Sequence, residues 1–261
     1  MELGLEGKVS LVTGAGQGMG RGIAIELAKE GCNVIINDII KENAEKVSAE
    51  IERLGRMSLP YKADVSKEEE VVEMVKTALQ KFEHIDILVN CAGIGDTNLF
   101  QNSTKSEWDR VLGVCLYGTL LCTRSVINSM IQRNYGKIIN IVSDAGRVGE
   151  SGLAVYSAAK AGIIGFSKAL AKEVGKYKIN INCVSPGATK TDHIIQMWKT
   201  MEEKMGKQSF EERQKKVLSK YVIRRFGEVE DVAKMVTYLA SDVSSFITGQ
   251  TISVSGGYSM F

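Results

Sequence analysis

Apolar runs and helical repeats alternate along the chain. Val9 to Thr13 (VSLVT) is a short β-favouring run that stops at Gly14, and Ile23 to Lys29 then repeats with helical spacing. Asn33 to Asn37 (NVIIN) reads as a second strand and residues 41–55 as a helix. Met57 to Lys62 is a third strand, and Pro60 within it points to a place near the sheet edge. Ser66 followed by Glu68 and Glu69 predicts an N-cap with acids in the first turn, so Lys67 to Phe82 is the next helix. Ile85 to Val89 (IDILV) reads as a buried parallel strand. Thr104 to Arg133 is amphipathic throughout, a single helix or two joined ones, with Trp108, Val111, Leu112, Cys115 and Leu116 at core-facing spacing. Lys137 to Val142 (KIINIV), a helix over 153–174, the alternating Ile179 to Ser185 (ININCVS), a helix from Glu228 to Leu239 and a strand from Gln250 to Val254 complete the pattern.

This order predicts an α/β fold, a doubly wound and mostly parallel sheet forming a single domain over residues 1–261, with its ligand at the carboxyl ends of the strands. Residues 190–225 depart from the alternation. They are charged and carry Met197, Trp198, Met201, Met205, Phe210, Leu218 and Tyr221, and a long excursion after a strand's carboxyl end reads as a lid over the site, with an exposed amphipathic helical hairpin as the alternative.

Composition narrows the function by exclusion. The 261 residues are 44% hydrophobic and 25% charged, with a formal charge of +2 and acids and bases interspersed. That pattern offers no basic patch to nucleic acid or to an anionic membrane, so a small-molecule partner is expected. The cysteines (Cys32, Cys91, Cys115, Cys122 and Cys183) are scattered and form no C-x-x-C pair, which favours a reducing cytoplasm and no structural metal. No apolar signal core precedes the first strand, and no run approaches the ~18 apolar residues of a membrane span.

Three stretches carry candidate chemistry. Between the first strand and first helix lies TGAGQGMG, with Gly14, Gly16, Gly18 and Gly20. Bare backbone there lets a pyrophosphate approach, and a helix N-terminus offers unpaired N–H groups and a positive dipole end. Asp38 closes the second strand, where a carboxylate can accept from both adenosine ribose hydroxyls and would repel a 2′-phosphate; with Gln17 and Ile39 as neighbours, nothing cationic is offered, which favours NAD. The helix-capping role open to Asp38 does not exclude the ribose role. Asp64 either caps the next helix or meets the adenine amino group. Asn90, ahead of Ala92 and Gly93, is placed to tie neighbouring strands together, while the small residues leave room for a ligand. The third stretch, SDAGRVGESGLAVYSAAK, holds Ser143 at a strand end, and Tyr156 and Lys160 one helical turn apart. A phenol has an unperturbed pKa of about 10, and a nearby ammonium favours its phenolate, so such a tyrosine can carry a proton. Neither His84 nor His193 is needed for that chemistry.

Taken together in this order and spacing, TGAGQGMG, Asp64-Val65, NCAG, Ser143, Tyr156-x-x-x-Lys160 and Pro186-Gly187 resemble the short-chain dehydrogenase/reductases over essentially the whole chain. The resemblance implies a Rossmann fold, hydride transfer between a secondary alcohol and a nicotinamide cofactor, and a tetramer, here expected to be a homotetramer. It makes Tyr156 the general acid/base, Lys160 its partner and a ribose ligand, and Ser143 the holder of the substrate oxygen. It assigns Gly14, Gly18 and Gly20 to the TGxxxGxG pattern with Gln17 and Met19 lining the phosphates, Asp38 to the NAD-selecting acid, and Pro186, Gly187, Thr189 and Thr191 to the nicotinamide carboxamide. Asp64, Val65, Asn90, Ala92 and Gly93 fall in the remaining cofactor motifs.

Two positions depart from the family pattern. Cys91 replaces the second asparagine of NNAG, and Cys115 stands where the family carries an asparagine that holds a proton-relay water. A thiol is a weak hydrogen-bonding group, which leaves a slower, rerouted or broken relay as the options, and a catalytically impaired nucleotide-binding subunit of a hetero-oligomer as the alternative function. The Ser143–Glu150 segment is similar to members that oxidise hydroxyacyl-CoA thioesters, including alicyclic ones. Arg147, Lys199, Lys204 and Lys207 are the cations expected to meet an anionic substrate.

Overall fold

The computed structural model describes residues 2–95 and 97–260. His193, which the chemistry does not need, has a side chain outside that description.

Seven strands form one parallel sheet in the order β3-β2-β1-β4-β5-β6-β9. They are β1 (Val9–Thr13), β2 (Asn33–Asp38), β3 (Ser58–Lys62), β4 (Ile87–Asn90), β5 (Gly136–Ile141), β6 (Ile179–Pro186) and β9 (Thr251–Val254); β7 (Thr189–Lys190) and β8 (Gly227–Glu228) pair with each other outside it, and the short helix α6 (Ala145–Val148) follows β5. The chain runs outward from β1 to β3, returns to β4 on the other side of β1, and runs outward again. Order therefore reverses between β1 and β4, where a crevice opens at the carboxyl ends. Thr13 closes β1 there and accepts hydrogen bonds from the Cys91 and Ala92 amides at 3.0 and 3.1 Å, holding the two strand ends together. Pro60 lies on the edge strand β3, where its missing N–H costs no ladder bond.

Successive strand residues feed opposite faces. Val12, Ile36, Val89 and Ile139 pack with α1 (Gly18–Lys29), α2 (Lys41–Arg53) and α10 (Val229–Ala240). Leu11, Ile35, Leu88 and Ile138 pack with α3 (Glu68–Phe82), α5 (Gly118–Arg133) and α7 (Ala154–Val174). The alternation in ININCVS does not mark a solvent face, since every residue of β6 is buried. Asn180 and Asn182 instead bond the Ile247 carbonyl and neighbouring groups, and Asn180 Oδ1 accepts from the buried Lys137 ammonium at 2.8 Å.

One expected element is corrected in detail, and another is resolved between its two options. Helix α3 is capped by Lys67, not Ser66; Ser66 instead donates from its amide and hydroxyl to Asp64 Oδ1, at 2.9 and 2.7 Å. The stretch after Thr104 is α4 (Lys105–Leu112) and α5, joined by a π-helical segment, Gly113–Tyr117, that contains Cys115. By length and composition Lys105–Arg133 could cross a membrane, which the run-length reading overlooked. In the fold, α5 buries Cys122, Val126, Ile127 and Met130 in the core.

Candidate active site

The glycine turn is shaped by exclusion. Gly14 has φ +62°, and a Cβ there would lie 2.8 Å from the Ala92 Cα, while one on Gly20 would fall on the Gly14 carbonyl oxygen. Backbone thus lies bare against backbone where a pyrophosphate needs to come close. Gln17, exposed, precedes α1 without a side-chain cap, and the first turn of α1 carries no acid, so its amides at Gly18 and Met19 face no competing carboxylate. These features fit a dinucleotide.

Asp38 is 6% exposed, and its two carboxylate oxygens accept from the Gly16 amide at 2.9 Å and the Ile40 amide at 3.0 Å. Each oxygen keeps a free lone pair for a ribose hydroxyl. Its partners are the glycine turn and the approach to α2, whose N-cap position is Ile40, so it welds the two loops of the nucleotide end together. Arg21, in the first turn of α1, is held by Glu50 at 3.2 and 2.6 Å.

The family motifs divide between cleft and scaffold. Asn90 donates to Asn140 Oδ1 at 2.8 Å and to Thr123 at 3.2 Å, tying β4 to β5 and α5. The Val65 side chain belongs to the core beside Gly118, so only its backbone is free for a ligand. Met19, Gly93, Pro186, Gly187, Thr189 and Thr191 instead line a cleft of about 590 Å³. Thr191 also caps α8 (Asp192–Met205), accepting from the Ile194 amide at 3.4 Å.

Ser143, Tyr156 and Lys160 line that same cleft. Ser143 follows β5 and its hydroxyl accepts from the Ala145 amide at 3.2 Å. Lys160 is 3% exposed, donates to the Ile141 carbonyl at 2.7 Å, and holds its ammonium 5.5 Å from the centre of the Tyr156 ring. One of its three N–H donors is spent, and two remain. A Cβ on Gly93 would lie 3.5 Å from that ammonium and 3.7 Å from the Cys115 sulfur, so glycine keeps the space between them open. The Cys115 thiol donates to the Ile94 carbonyl at 3.2 Å and accepts from the Ile94 amide at 3.4 Å. It is a direct clamp on the β4 loop.

The cleft's remaining walls come from residues that sequence reasoning passed over. Asp144 is 2% exposed; its Oδ1 accepts from Ser185 at 2.5 Å and Ser253 at 3.1 Å, linking the Ser143 turn to β6 and β9. Arg147 completes this network by donating to Ser253 at 2.7 Å and to the Thr251 carbonyl, so it serves the sheet edge and not a substrate. Lys199, Lys204 and Lys207 also lie outside the cleft wall, where the cation of the hairpin is Lys220. Tyr258 donates to Glu150 at 2.6 Å, and Tyr221, its ring tilted by 31° against that of Tyr258 at 5.1 Å between centres, accepts from the Ala188 amide at 3.0 Å. The hydrogen bond to Glu150, helped by burial, pushes Tyr258 up to about 12. Burial pushes the Cys91 thiol up to about 11 against the pull of Lys160. The nearest sequence signal for the Asp144 network was an acid directly after Ser143; its partners lie some forty and a hundred residues away, at Ser185 and Ser253.

The predicted lid is a helical hairpin, α8 and α9 (Lys207–Leu218), broken at Gly206 with φ +82°, and Ile194, Val217, Lys220 and Tyr221 from this region line the cleft.

Residues 14–259 match the family model described as enoyl-(acyl carrier protein) reductase. The chain belongs to the short-chain dehydrogenase/reductase family. Its members are oxidoreductases acting on CH–OH groups with a nicotinamide cofactor. The 3-oxoacyl-[acyl-carrier-protein] reductase FabG of Staphylococcus epidermidis is 40% identical over 254 residues, 97% of this chain and 99% of that one. The (2S)-[(R)-hydroxy(phenyl)methyl]succinyl-CoA dehydrogenase subunit BbsD of Thauera aromatica is 38% identical over 262 residues, 99% of each. A crystal structure described as a short-chain alcohol dehydrogenase from Sinorhizobium meliloti 1021 superposes with a TM-score of 0.89 at 30% identity, covering 99% of this chain and 98% of that one.

Proposed function

We propose that the chain is an NAD-dependent dehydrogenase that oxidises the secondary alcohol of a hydroxyacyl thioester, or of a related alicyclic alcohol, to the ketone. The observation that carries this reading is the convergence of Ser143, Tyr156 and Lys160 on one cleft that continues into Pro186, Gly187 and Thr189. Ser143 donates its hydroxyl hydrogen to the substrate oxygen and orients it. Tyr156, as phenolate, takes the hydroxyl proton, and the freed O–H pair becomes the second carbonyl bond. A nicotinamide held beside Pro186, Gly187 and Thr189 would supply the hydride acceptor for the carbinol hydrogen. Lys160 stabilises the phenolate, and its bond to the Ile141 carbonyl fixes the ammonium in place while two N–H donors stay free.

Asp38 supports NAD: an anion at the ribose edge repels a 2′-phosphate, and Arg21, on the neighbouring helix turn, is already paired to Glu50. The thioester reading is supported by FabG and BbsD, whose names specify acyl-carrier-protein and CoA substrates, and by the width of the cleft. The test is nicotinamide absorbance with the purified chain, comparing NAD with NADP and a 3-hydroxyacyl-CoA with its free hydroxy acid. NAD and the CoA ester are expected to win by tenfold or more; a preference for NADP would overturn the cofactor, and equal rates the thioester. A second reading, an impaired subunit of a hetero-oligomer, is favoured by the Cys115 clamp and by BbsD being named a subunit. A chain inert alone that still binds NADH would select it.

A further inference from the structure

The hairpin encloses a second space that the proton-transfer residues do not use. It measures about 200 Å³ and lies between α8, α9 and the chain around Phe226, with Met197, Trp198, Met201 and Phe210 in its walls. Trp198 and Phe226 meet there at 4.5 Å between ring centres and 46° between planes. A cavity of about 150 Å³ lined by apolar side chains suffices for benzene. Methionine thioethers beside aromatic rings make a soft, polarisable lining suited to another ring.

Two further features say what the occupant is attached to. Ala188, Thr189, Ile194 and Val217 bound both this space and the cleft that holds Ser143, Tyr156 and Lys160, so the two volumes share one wall. At the rim, consecutive residues of α9 present Arg213 and Gln214, and neither side chain has a hydrogen-bond or ion-pair partner among the described residues. Apolar walls with a few convergent polar groups are the usual make-up of a small-molecule site.

We infer that this space is a subsite for a six-membered ring, aromatic or alicyclic, carried on the acyl part of the substrate, with Arg213 and Gln214 receiving a carboxylate or carbonyl beside that ring. The inference rests on the hydroxyacyl-thioester reading for its catalytic test, and a binding test that does not need that reading accompanies it.

In the catalytic test, 3-hydroxy-3-phenylpropanoyl-CoA and 3-hydroxybutanoyl-CoA are compared with NAD. The ring-bearing ester is expected to have the higher kcat/KM, and Met201→Trp, which places an indole in the void, should lower the ratio of the two by about tenfold or more. In the binding test, calorimetry with 3-phenylpropanoate alone should show saturable binding to the wild type that is lost in Met201→Trp and weakened in the surface variant Arg213→Gln. The uncharged 3-phenylpropan-1-ol should bind both wild type and Arg213→Gln equally. If no CoA ester is turned over yet phenylpropanoate binds in this pattern, the thioester reading fails and the subsite stands. Turnover without ring preference, together with no phenylpropanoate binding or binding indifferent to Met201→Trp, overturns the subsite.

Discussion

The two ends of the cleft are built in different ways. At the nucleotide end the contact surface is backbone: Gly14 and Gly20 clear a path that any Cβ would block, and Asp38 braces the loops through amide hydrogens. At the substrate end it is side chain: Asp144 is held by Ser185 and Ser253, Glu150 by Tyr258, and Tyr221 by the Ala188 amide. A shared cofactor is served by the first kind of construction, because backbone geometry does not vary with side-chain identity. Substrate choice is served by the second, because every wall can be exchanged separately.

The contrast can be broken at four positions. Gly14→Val should have the largest effect: at φ +62° a β-branched residue adds about 1–3 kcal/mol of strain, and its side chain meets Ala92, so NADH binding followed by fluorescence is expected to disappear. Asp38→Ala comes next. Loss of hydrogen bonds to a charged acceptor, about 1.5–3 kcal/mol, should weaken NAD by tenfold or more and bring NAD and NADP affinities together. Asp144→Ala leaves the buried Ser185 and part-buried Ser253 hydroxyls without their acceptor and should lower kcat roughly tenfold, with Asn recovering part of it, while NADH affinity stays near wild type. An equal loss in kcat and NADH affinity would mean that the carboxylate serves the fold generally.

The smallest effect is expected at Tyr258. Its folded-state pKa is raised to about 12 from an ordinary value of 10.0, chiefly by Glu150. The contact therefore contributes stability below pH 10 that is lost as pH rises toward 12. The Tm difference between wild type and Tyr258→Phe should shrink across that window; a constant difference would remove the Glu150 bond from the account.

The same contrast explains what could be read from the sequence. The glycine turn, Asp38 and the Tyr156–Lys160 pair are local in sequence, so a strand, a turn and one helical turn suffice to place them. The π-helical segment at Cys115 and the break at Gly206 are local too, but periodicity smears over both. The alternation of ININCVS placed β6 correctly, but it records polarity and not exposure: Asn180 and Asn182 are polar and buried, satisfied by carbonyls of the segment before β9. The Asp144–Ser185–Ser253–Arg147 network was illegible because its members meet only after β5, β6 and β9 have paired. Arg147 was consequently taken for a substrate contact.

In the proposed function Tyr156 moves the proton while the rest of the cleft holds cofactor and alcohol. The most direct measurement is nicotinamide absorbance for Tyr156→Phe with NAD and a 3-hydroxyacyl-CoA, beside NADH binding by fluorescence on the same sample. The account predicts a rate lower by about 10²–10⁴-fold with NADH affinity within threefold of wild type. Turnover near the wild-type rate would contradict it.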